Sequence, residues 1–337
     1  LKTISIIIPC LNEKNYIRRC LNSIQQQSYP PHLISTFICD GGSNDGTTEI
    51  INDFVKSNTQ FSLLFNEKKT TPYALNLGIV NSKADIIIIL GAHSELDVNF
   101  VANSVSSFDM DDQIMCVGGI LENVYENSTS QIIGAAMSSS FGVGNAHFRT
   151  GNKSGFVDTV AFGAYKKEIF DKVGLFDEEL IRNQDDEFNF RITNAGFKIY
   201  LNHTIKCKYF VRASFQKLFK QYYQYGYWKV FVNKKHKTIT TIRQLIPLFF
   251  VLYLFLWLTS SLISIYLFLA LASFMTLYFI LAILAAFQNK SGSLASIFGI
   301  VYTFFILHIS YGLGYLKGIF DFFILGKSIK KHESLSR

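Results

Sequence analysis

Four short stretches of this sequence gather side chains that could do chemistry. Pro9-Cys10-Leu11-Asn12-Glu13 ends the apolar, β-branched run Ile4-Ser5-Ile6-Ile7-Ile8. Asp40-Gly41-Gly42-Ser43-Asn44-Asp45-Gly46-Thr47 ends a second run, and Gly91-Ala92-His93 follows a third. Further on, Gln184-Asp185-Asp186-Glu187 sets carboxylates side by side. An Asp at a strand end, followed by small residues, can hydrogen-bond the edge of a base or ribose. It can equally close an Asx-turn or cap a helix. Neighbouring carboxylates repel, which favours taking up a proton, and a positioned base contributes about 100- to 10,000-fold to a rate. The same cluster suits the first turn of a helix. Two common chemistries lack their signatures. The turn at 41–46 carries no GxxxxGK[ST], and Gly142-Val143-Gly144 meets His147 where a dinucleotide fingerprint wants glycine.

The elements that must position these residues alternate. Strands are predicted over 4–8, 33–39, 61–65 and 85–90, and helices over 16–27, 47–56 and 72–82. Strands alternating with helices imply parallel βαβ units in an α/β sandwich. In such sheets ligands bind beyond the carboxyl ends of the strands. The polar clusters after Ile8, Cys39 and Leu90 all lie there, so three loops should converge on one crevice.

At this point the sequence resembles the inverting family 2 glycosyltransferases, which have a GT-A fold, a Rossmann-like α/β sandwich for nucleotide-diphospho-sugars. The resemblance rests on Ile7-Ile8-Pro9-Cys10-Leu11-Asn12-Glu13, Asp40–Thr47 and Ala74-Leu75-Asn76-Leu77-Gly78, in order and at the expected spacing. More narrowly, it is similar to the succinoglycan-type exopolysaccharide branch. That likeness runs on through Gly155–Val160, Gly163-Ala164-Tyr165, Gly174-Leu175-Phe176-Asp177, Arg182–Glu187, Tyr225-Gly226-Tyr227-Trp228 and Ser310-Tyr311-Gly312-Leu313-Gly314.

The resemblance implies that Pro9, Asn12, Glu13 and Asp40 hold base and ribose, usually of a UDP-sugar. It places Lys69 near the diphosphate and Asp185 as general base. Asn76 flanks the nucleotide pocket, where a mid-helix Asn could equally be structural. Gln224 and Trp228 belong to a QxxRW-like box near acceptor and leaving group, with Tyr227 where Arg is usual. Asp158 and Gln184 are further candidates for acceptor or diphosphate contact. Three positions depart from the pattern: Gly91 stands where a metal-binding Asp leads, Gly41 where a second Asp is usual, and Gln184 where a Glu precedes the base. His93 remains as a metal ligand, with Glu95 or Asp97 as substitutes for the missing oxygen, and a divalent cation (Mn²⁺ or Mg²⁺) is expected to bind weakly.

The 337 residues carry 32 basic and 25 acidic side chains, and hydrophobic residues make up 49% against 17% charged. The charge is uneven. Residues 1–228 hold 21 basic and 23 acidic side chains, net −2; residues 229–337 hold 11 and 2, net +9. A nucleic-acid binder with its basic face on the folded domain does not fit. Five scattered cysteines without a CxxC pair suit a reducing compartment. Leu1-Lys2-Thr3 runs straight into the first strand, which reads as a chain without a secretory signal.

From Gln244 to Asn289 there is no charged residue and no His. At ~20 residues per span, spans are expected near 245–266 and 268–287, with a further apolar run at 294–316 beyond the polar break Asn289–Gly292. Between Phe188 and Arg243 stand 12 Lys and Arg and no Asp or Glu, which marks the cytoplasmic side. Three spans would put Lys327, Lys330 and Lys331 outside; two spans and an interfacial or re-entrant segment would keep them inside.

The expected organisation is a cytosolic catalytic domain at 1–228, a basic juxtamembrane segment at 229–243, a membrane region at 244–325 and a basic tail at 326–337. The expected activity is transfer from a nucleotide sugar to a saccharide on a polyprenyl diphosphate lipid, at the cytosolic face of the cytoplasmic membrane. Direct transfer to polyprenyl phosphate, or a nucleotide-binding scaffold without turnover, are the alternatives.

Overall fold

The computed structural model describes residues 1–151, 153–288 and 294–327. The polar break Asn289–Gly292 and the tail residues Lys330 and Lys331 lie outside the described residues. The strands are β1 (Ile4–Cys10), β2 (Ile34–Asp40), β3 (Phe61–Phe65), β4 (Ile86–Ile89), β5 (Ser94–Leu96), β6 (Ile114–Val124), β7 (Gly155–Val157), β8 (Ala161–Lys166) and β9 (Lys198–Phe210). The helices of the first half are α1 (Ile17–Gln25), α2 (Thr47–Ser57), α3 (Thr71–Asn81), α4 (Phe100–Ser107), α5 (Ser128–Met137) and α6 (Ser140–Val143). Those of the second are α7 (His147–Thr150), α8 (Glu168–Val173), α9 (Gln184–Asn194), α10 (Phe215–His236), α11 (Ile246–Ser260), α12 (Ile265–Gln288) and α13 (Leu294–Ile319).

The chain forms two compact units, residues 1–123 with 147–210, and residues 124–146 with 211–337. The expected boundary at 228 and this division differ, because α10 and the α5–α6 hairpin pack with the apolar C-terminal helices. In the first unit one sheet runs β3-β2-β1-β4-β8-β6-β9-β5, with β7 on β9. The pairs β1/β2, β1/β4 and β2/β3 are parallel, while β4/β8, β6/β8, β5/β9 and β7/β9 are antiparallel. Ile4, Ile6, Ile7 and Ile8 are fully buried, as expected of a central strand covered on both faces. Gly78 lets α3 lie on β1: a Cβ there would stand 2.5 Å from the Ile7 side chain.

The second unit is built around α13. Among the described residues three helices are long and apolar enough to cross a membrane, over Ile242–Ser260, Ile265–Gln288 and Ser296–Ile324. The turn between the first two falls at 261–264, a few residues earlier than predicted, where Thr259, Ser260 and Ser261 turn their hydroxyls back onto carbonyls of the preceding turn. The glycines of the late motifs permit backbone contact between helices. A Cβ at Gly226 of α10 would stand 2.0 Å from the Tyr311 carbonyl oxygen of α13. One at Gly314 would stand 2.0 Å from that of Tyr223, and one at Gly312 2.2 Å from that of Pro247. No side chain fits at any of them.

Candidate active site

The parallel strands end together, and their loops are tied to one another by side chains. In the β1/β2 register Pro9 faces Cys39 and Cys10 faces Asp40. The Asn12 N–H donates to Ser43 Oγ (2.8 Å), and Asn12 Oδ1 accepts from the Asn44 N–H (2.9 Å). The Glu13 N–H donates to Thr47 Oγ1 (2.8 Å) and the Lys14 N–H to Asp45 Oδ2 (3.2 Å). Asn12 takes a left-handed φ of 56°, which Asn tolerates better than most residues. This bend turns its amide onto the second loop.

Asp40 is buried and accepts from Ser43 Oγ (2.6 Å), the Ser43 N–H (3.1 Å) and Thr48 Oγ1 (2.8 Å). Its carboxylate is thus taken up by the loop and the helix start that follow it. Asp45 accepts from Thr47 Oγ1 (2.5 Å) and the Thr47 N–H (3.0 Å) at the start of α2. Burial works against its charge, but the bonds from Thr47 and the Lys14 N–H prevail and hold its carboxyl below the ordinary range. Ser43, Asp45, Thr47 and Thr48 were not singled out as site residues. Their signal was the cap chemistry of Ser, Thr and Asp ahead of a helix.

After β3, the Asn66 N–H donates to the Asp40 carbonyl (2.8 Å) and the Lys69 N–H to the Asn66 carbonyl (3.1 Å). This sets Lys69, exposed and at φ 56°, on the turn beside Gly41, whose Cβ would stand 3.4 Å from Lys69 Cα. Its neighbour Lys68 instead pairs with Glu178 (2.8 Å). The Asn76 amide is committed elsewhere: Nδ2 donates to the Phe176 carbonyl (2.9 Å) and Glu178 Oε1 (3.1 Å), and Oδ1 accepts from the Phe176 N–H (2.9 Å). Asn76 thus positions the 174–178 turn rather than presenting its amide to a ligand.

That turn leads into α9. Asn183 precedes the helix at φ 62°, and the acid cluster occupies its first turn. The three carboxylates have separate environments. Asp185 is exposed, with Oδ1 accepting from the Asp186 N–H (2.9 Å). Glu187 is buried and grips Arg191 through two bonds, Nε to Oε1 (2.8 Å) and Nη2 to Oε2 (2.9 Å). Arg191 also donates to the carbonyls of Val173 and Leu175, so Glu187 fastens α9 to the turn before it. Behind the cluster, Tyr165 packs on Phe170, Phe176 and Phe188. Burial pushes its hydroxyl well up, and the Asp185 carboxylate adds to the effect. Asn189 Nδ2 donates to Thr159 Oγ1 (2.9 Å), beside exposed Asp158.

His93 Nδ1 lies 3.5 Å from Glu13 Oε1, between the rings of Tyr16 and Tyr209. Neither proposed substitute for the missing carboxylate joins it. Glu95 pairs with Lys208 across the β5/β9 ladder (3.2 Å), and Asp97 Oδ1 accepts the Asn99 N–H (3.0 Å). Over Gly91 lies the Phe162 ring, 3.1 Å from where a Cβ would be, with Phe162 at φ 51° beside a register shift of β6 on β8. Among the described residues no three His, Cys, Asp or Glu side chains could together hold a metal ion. The donor set fits a cation held mainly by a ligand's own phosphate oxygens, with His93 beside it. All five cysteines are buried; burial pushes the Cys39 thiol up to about 12, which makes it an inert packing group.

In the second unit, Gln224 and Trp228 are buried on α10. Trp228 packs against Tyr227, Phe231 and Phe322. Tyr227, where Arg was expected, donates its hydroxyl to Asp321 (3.1 Å), which Lys317 (2.6 Å) and Lys327 (3.1 Å) also reach.

A mixed sheet in which β1 to β4 run parallel, with the loops after β1 and β2 tied together at their carboxyl ends, defines an α/β fold. The signature of glycosyl transferase family 2 matches residues 5–174. A protein from Methanococcus voltae, dolichyl N-acetyl-alpha-D-glucosaminyl phosphate 3-beta-D-2,3-diacetamido-2,3-dideoxy-beta-D-glucuronosyltransferase, is 35% identical over 230 residues, 66% of this chain and 71% of that one. Succinoglycan biosynthesis protein ExoA of Rhizobium meliloti is 27% identical over 248 residues, 72% and 74% of the two chains. The solved mannosyltransferase PcManGT from Pyrobaculum calidifontis, in complex with GDP-Man and Mn²⁺, superposes with a TM-score of 0.62 at 15% identity. The match covers 95% of this chain and 88% of that one. The chain belongs to glycosyl transferase family 2: it is a glycosyltransferase of GT-A fold with apolar C-terminal helices.

Proposed function

We propose that this enzyme moves a sugar from a UDP-sugar to a saccharide carried on a polyprenyl phosphate or diphosphate lipid, in assembly of an exopolysaccharide, capsule or O-antigen. The reaction takes place at the cytosolic face of the cytoplasmic membrane. The observation that carries this reading is the pair of tied loops at the ends of β1 and β2, in a chain whose 35%-identical relative is named for a dolichyl-linked sugar acceptor. The loops of Pro9, Asn12, Glu13 and Asp40 hold base and ribose, and Lys69 faces the diphosphate. A divalent cation, Mn²⁺ or Mg²⁺, bound through the donor diphosphate beside His93 would supply charge neutralisation of the leaving group.

Asp185 accepts the proton of the acceptor hydroxyl as that oxygen attacks the anomeric carbon, with inversion. Its exposure gives an acceptor access, and the Asp186 N–H fixes the orientation of its carboxylate. Asp158 and Gln184 serve acceptor and diphosphate. The test is transfer from a panel of radiolabelled UDP-sugars into extractable lipid, comparing wild-type membranes with Asp185→Asn under Mn²⁺, Mg²⁺ and EDTA. Label from one donor, reduced about 100-fold or more in Asp185→Asn, is the expected result. Label that persists in the variant removes Asp185 from the mechanism, and UDP binding without label from any donor removes the transferase reading.

A further inference from the structure

The helix α13 has the length and composition of a membrane span, but its neighbours are not those of one. The windows over α11 and α12 are 11% buried within the protein, against 56% for that over α13. The outward faces of α11 and α12 are large apolar side chains, among them Phe249, Phe255, Leu256, Leu269, Phe274 and Leu284. On α13 only Phe298, Tyr302 and Lys317 are exposed between Ser296 and Ile319.

What covers α13 is polar on its far side. The helix α10 runs alongside it in the same direction, from Phe215 at Tyr302 to Lys234 at Phe322. Phe215 meets Tyr302 (ring centroids 5.2 Å), Gly314 abuts the Tyr223 carbonyl, and Gly318 abuts that of Tyr227. Asn233 Nδ2 donates to Tyr315 Oη (2.9 Å), and Lys234 Nζ reaches the Phe322 carbonyl (2.5 Å). Two helices so paired lie at one depth. Yet α10 exposes Lys217, Lys220 and Lys235, each costly within hydrocarbon. The α5–α6 hairpin covers another side of α13. There Gly299 abuts Ile132, Phe141 meets Phe304 (4.9 Å), and the Phe141 carbonyl accepts from His308 Nε2 (2.9 Å).

The pair α11–α12 is different. It is an antiparallel hairpin, with Trp257 stacked on Phe268, Tyr253 Oη donating to the Leu271 carbonyl (2.6 Å) and Phe250 stacked on Tyr278. The hairpin meets α13 near its middle, through Pro247, Phe250 and Val251 of α11 and Tyr278 and Phe279 of α12 against Phe305, His308 and Gly312. The beginning of α11 and the end of α12 are therefore together. The exposed tip at Leu262, Ile263 and Tyr266 is the far end.

We propose that only the α11–α12 hairpin enters the bilayer and that α13 does not cross it. In this arrangement α13, α10 and the α5–α6 hairpin form a layer in the interfacial plane, whose partner is the lipid surface. The aromatic and lysine residues of α10 suit that level, where ring and ammonium groups are favoured together. Both ends of the apolar region, Arg243 and Lys327, then lie on one side. This resolves the parity problem of three apolar runs flanked by basic residues. The inference rests on helix packing alone and is independent of donor and acceptor.

The full-length chain carrying one epitope tag at its N-terminus and another after Arg337 tests it, in sealed vesicles of one orientation treated with protease. Both tags are expected to be digested, or both protected until detergent is added, with dose dependences within about twofold. One tag digested while the other needs detergent would show that α13 crosses and overturn the proposal.

Discussion

The ends of β1 and β2 and the crossing of α10 with α13 are both places where two stretches of chain come very close, and they are held by opposite means. At the strand ends, side chains tie the loops: Ser43, Asp45 and Thr47 each take a backbone N–H of residues 12–14. At the helix crossing, side chains are absent: Gly226, Gly314 and Gly318 let backbone touch backbone. Polar ties can be lost one at a time, each at about 1 kcal/mol. Glycine contacts tolerate nothing larger. One region can loosen by degrees; the other holds or comes apart.

The largest effect should therefore come from the helix crossing. Gly314→Leu drives a side chain into the Tyr223 carbonyl, 2.0 Å from its Cβ, and only separation of the helices relieves it. A loss of about 3 kcal/mol or more is expected, read as a drop in thermal midpoint in detergent or failure to extract folded protein. Gly155→Ala is the control, because nothing lies within 4 Å of that Cβ. Unchanged stability in Gly314→Leu would break the comparison at its root. Next in size is Glu187→Gln, where a polar contact should act like a glycine one. It leaves Arg191 without the charge that holds it at 2.8 Å. A loss of about 3 kcal/mol is expected, seen in the thermal midpoint before activity is measured.

The contrast also divides what the sequence made legible. Strands β1 to β4 and helices α1 to α3 match the predicted spans within one or two residues, because β-branched runs and helically spaced apolar residues are local signals. The Asp40–Thr47 loop is legible as a turn at the strand end, but the ties of Ser43, Asp45 and Thr47 to residues 12–14 depend on a loop far off in the chain. Three adjacent acids at 185–187 looked alike; the buried one is set apart by Arg191 four residues on, a pairing visible in principle from helical spacing. Hydropathy could not separate α13 from α12, since an apolar face reads the same against lipid or against protein. Residues 124–146 gave no sign that they pack with the C-terminal helices, because α5 and α6 are short and their apolar faces gain meaning only from α13. Likewise Gly91 was legible as a lost carboxylate, but the Phe162 ring over it was not.

Within the loops the effects should be smaller and graded. Asp45 has its carboxyl held below the ordinary range, so its contribution to folding is present above about pH 4 and is lost as pH falls through its lowered folded-state value. The difference in thermal midpoint between wild type and Asp45→Asn should be steady near neutrality and narrow as pH drops below about 4. A difference that widens on acidification would mean that Asp45 is not held in its charged form.

The mildest change should be Ser43→Ala. It removes one hydroxyl that donates to Asp40 (2.6 Å) and accepts from the Asn12 N–H (2.8 Å). Thr48 still serves Asp40, and Asn12 Oδ1 still holds the Asn44 N–H, so the loops should stay close but less rigid. About 1 kcal/mol of stability is expected to be lost, read as a drop of roughly 2–4 °C in the thermal midpoint. A collapse of folding on the scale of Gly314→Leu would show that the loops, like the helices, are held all or none.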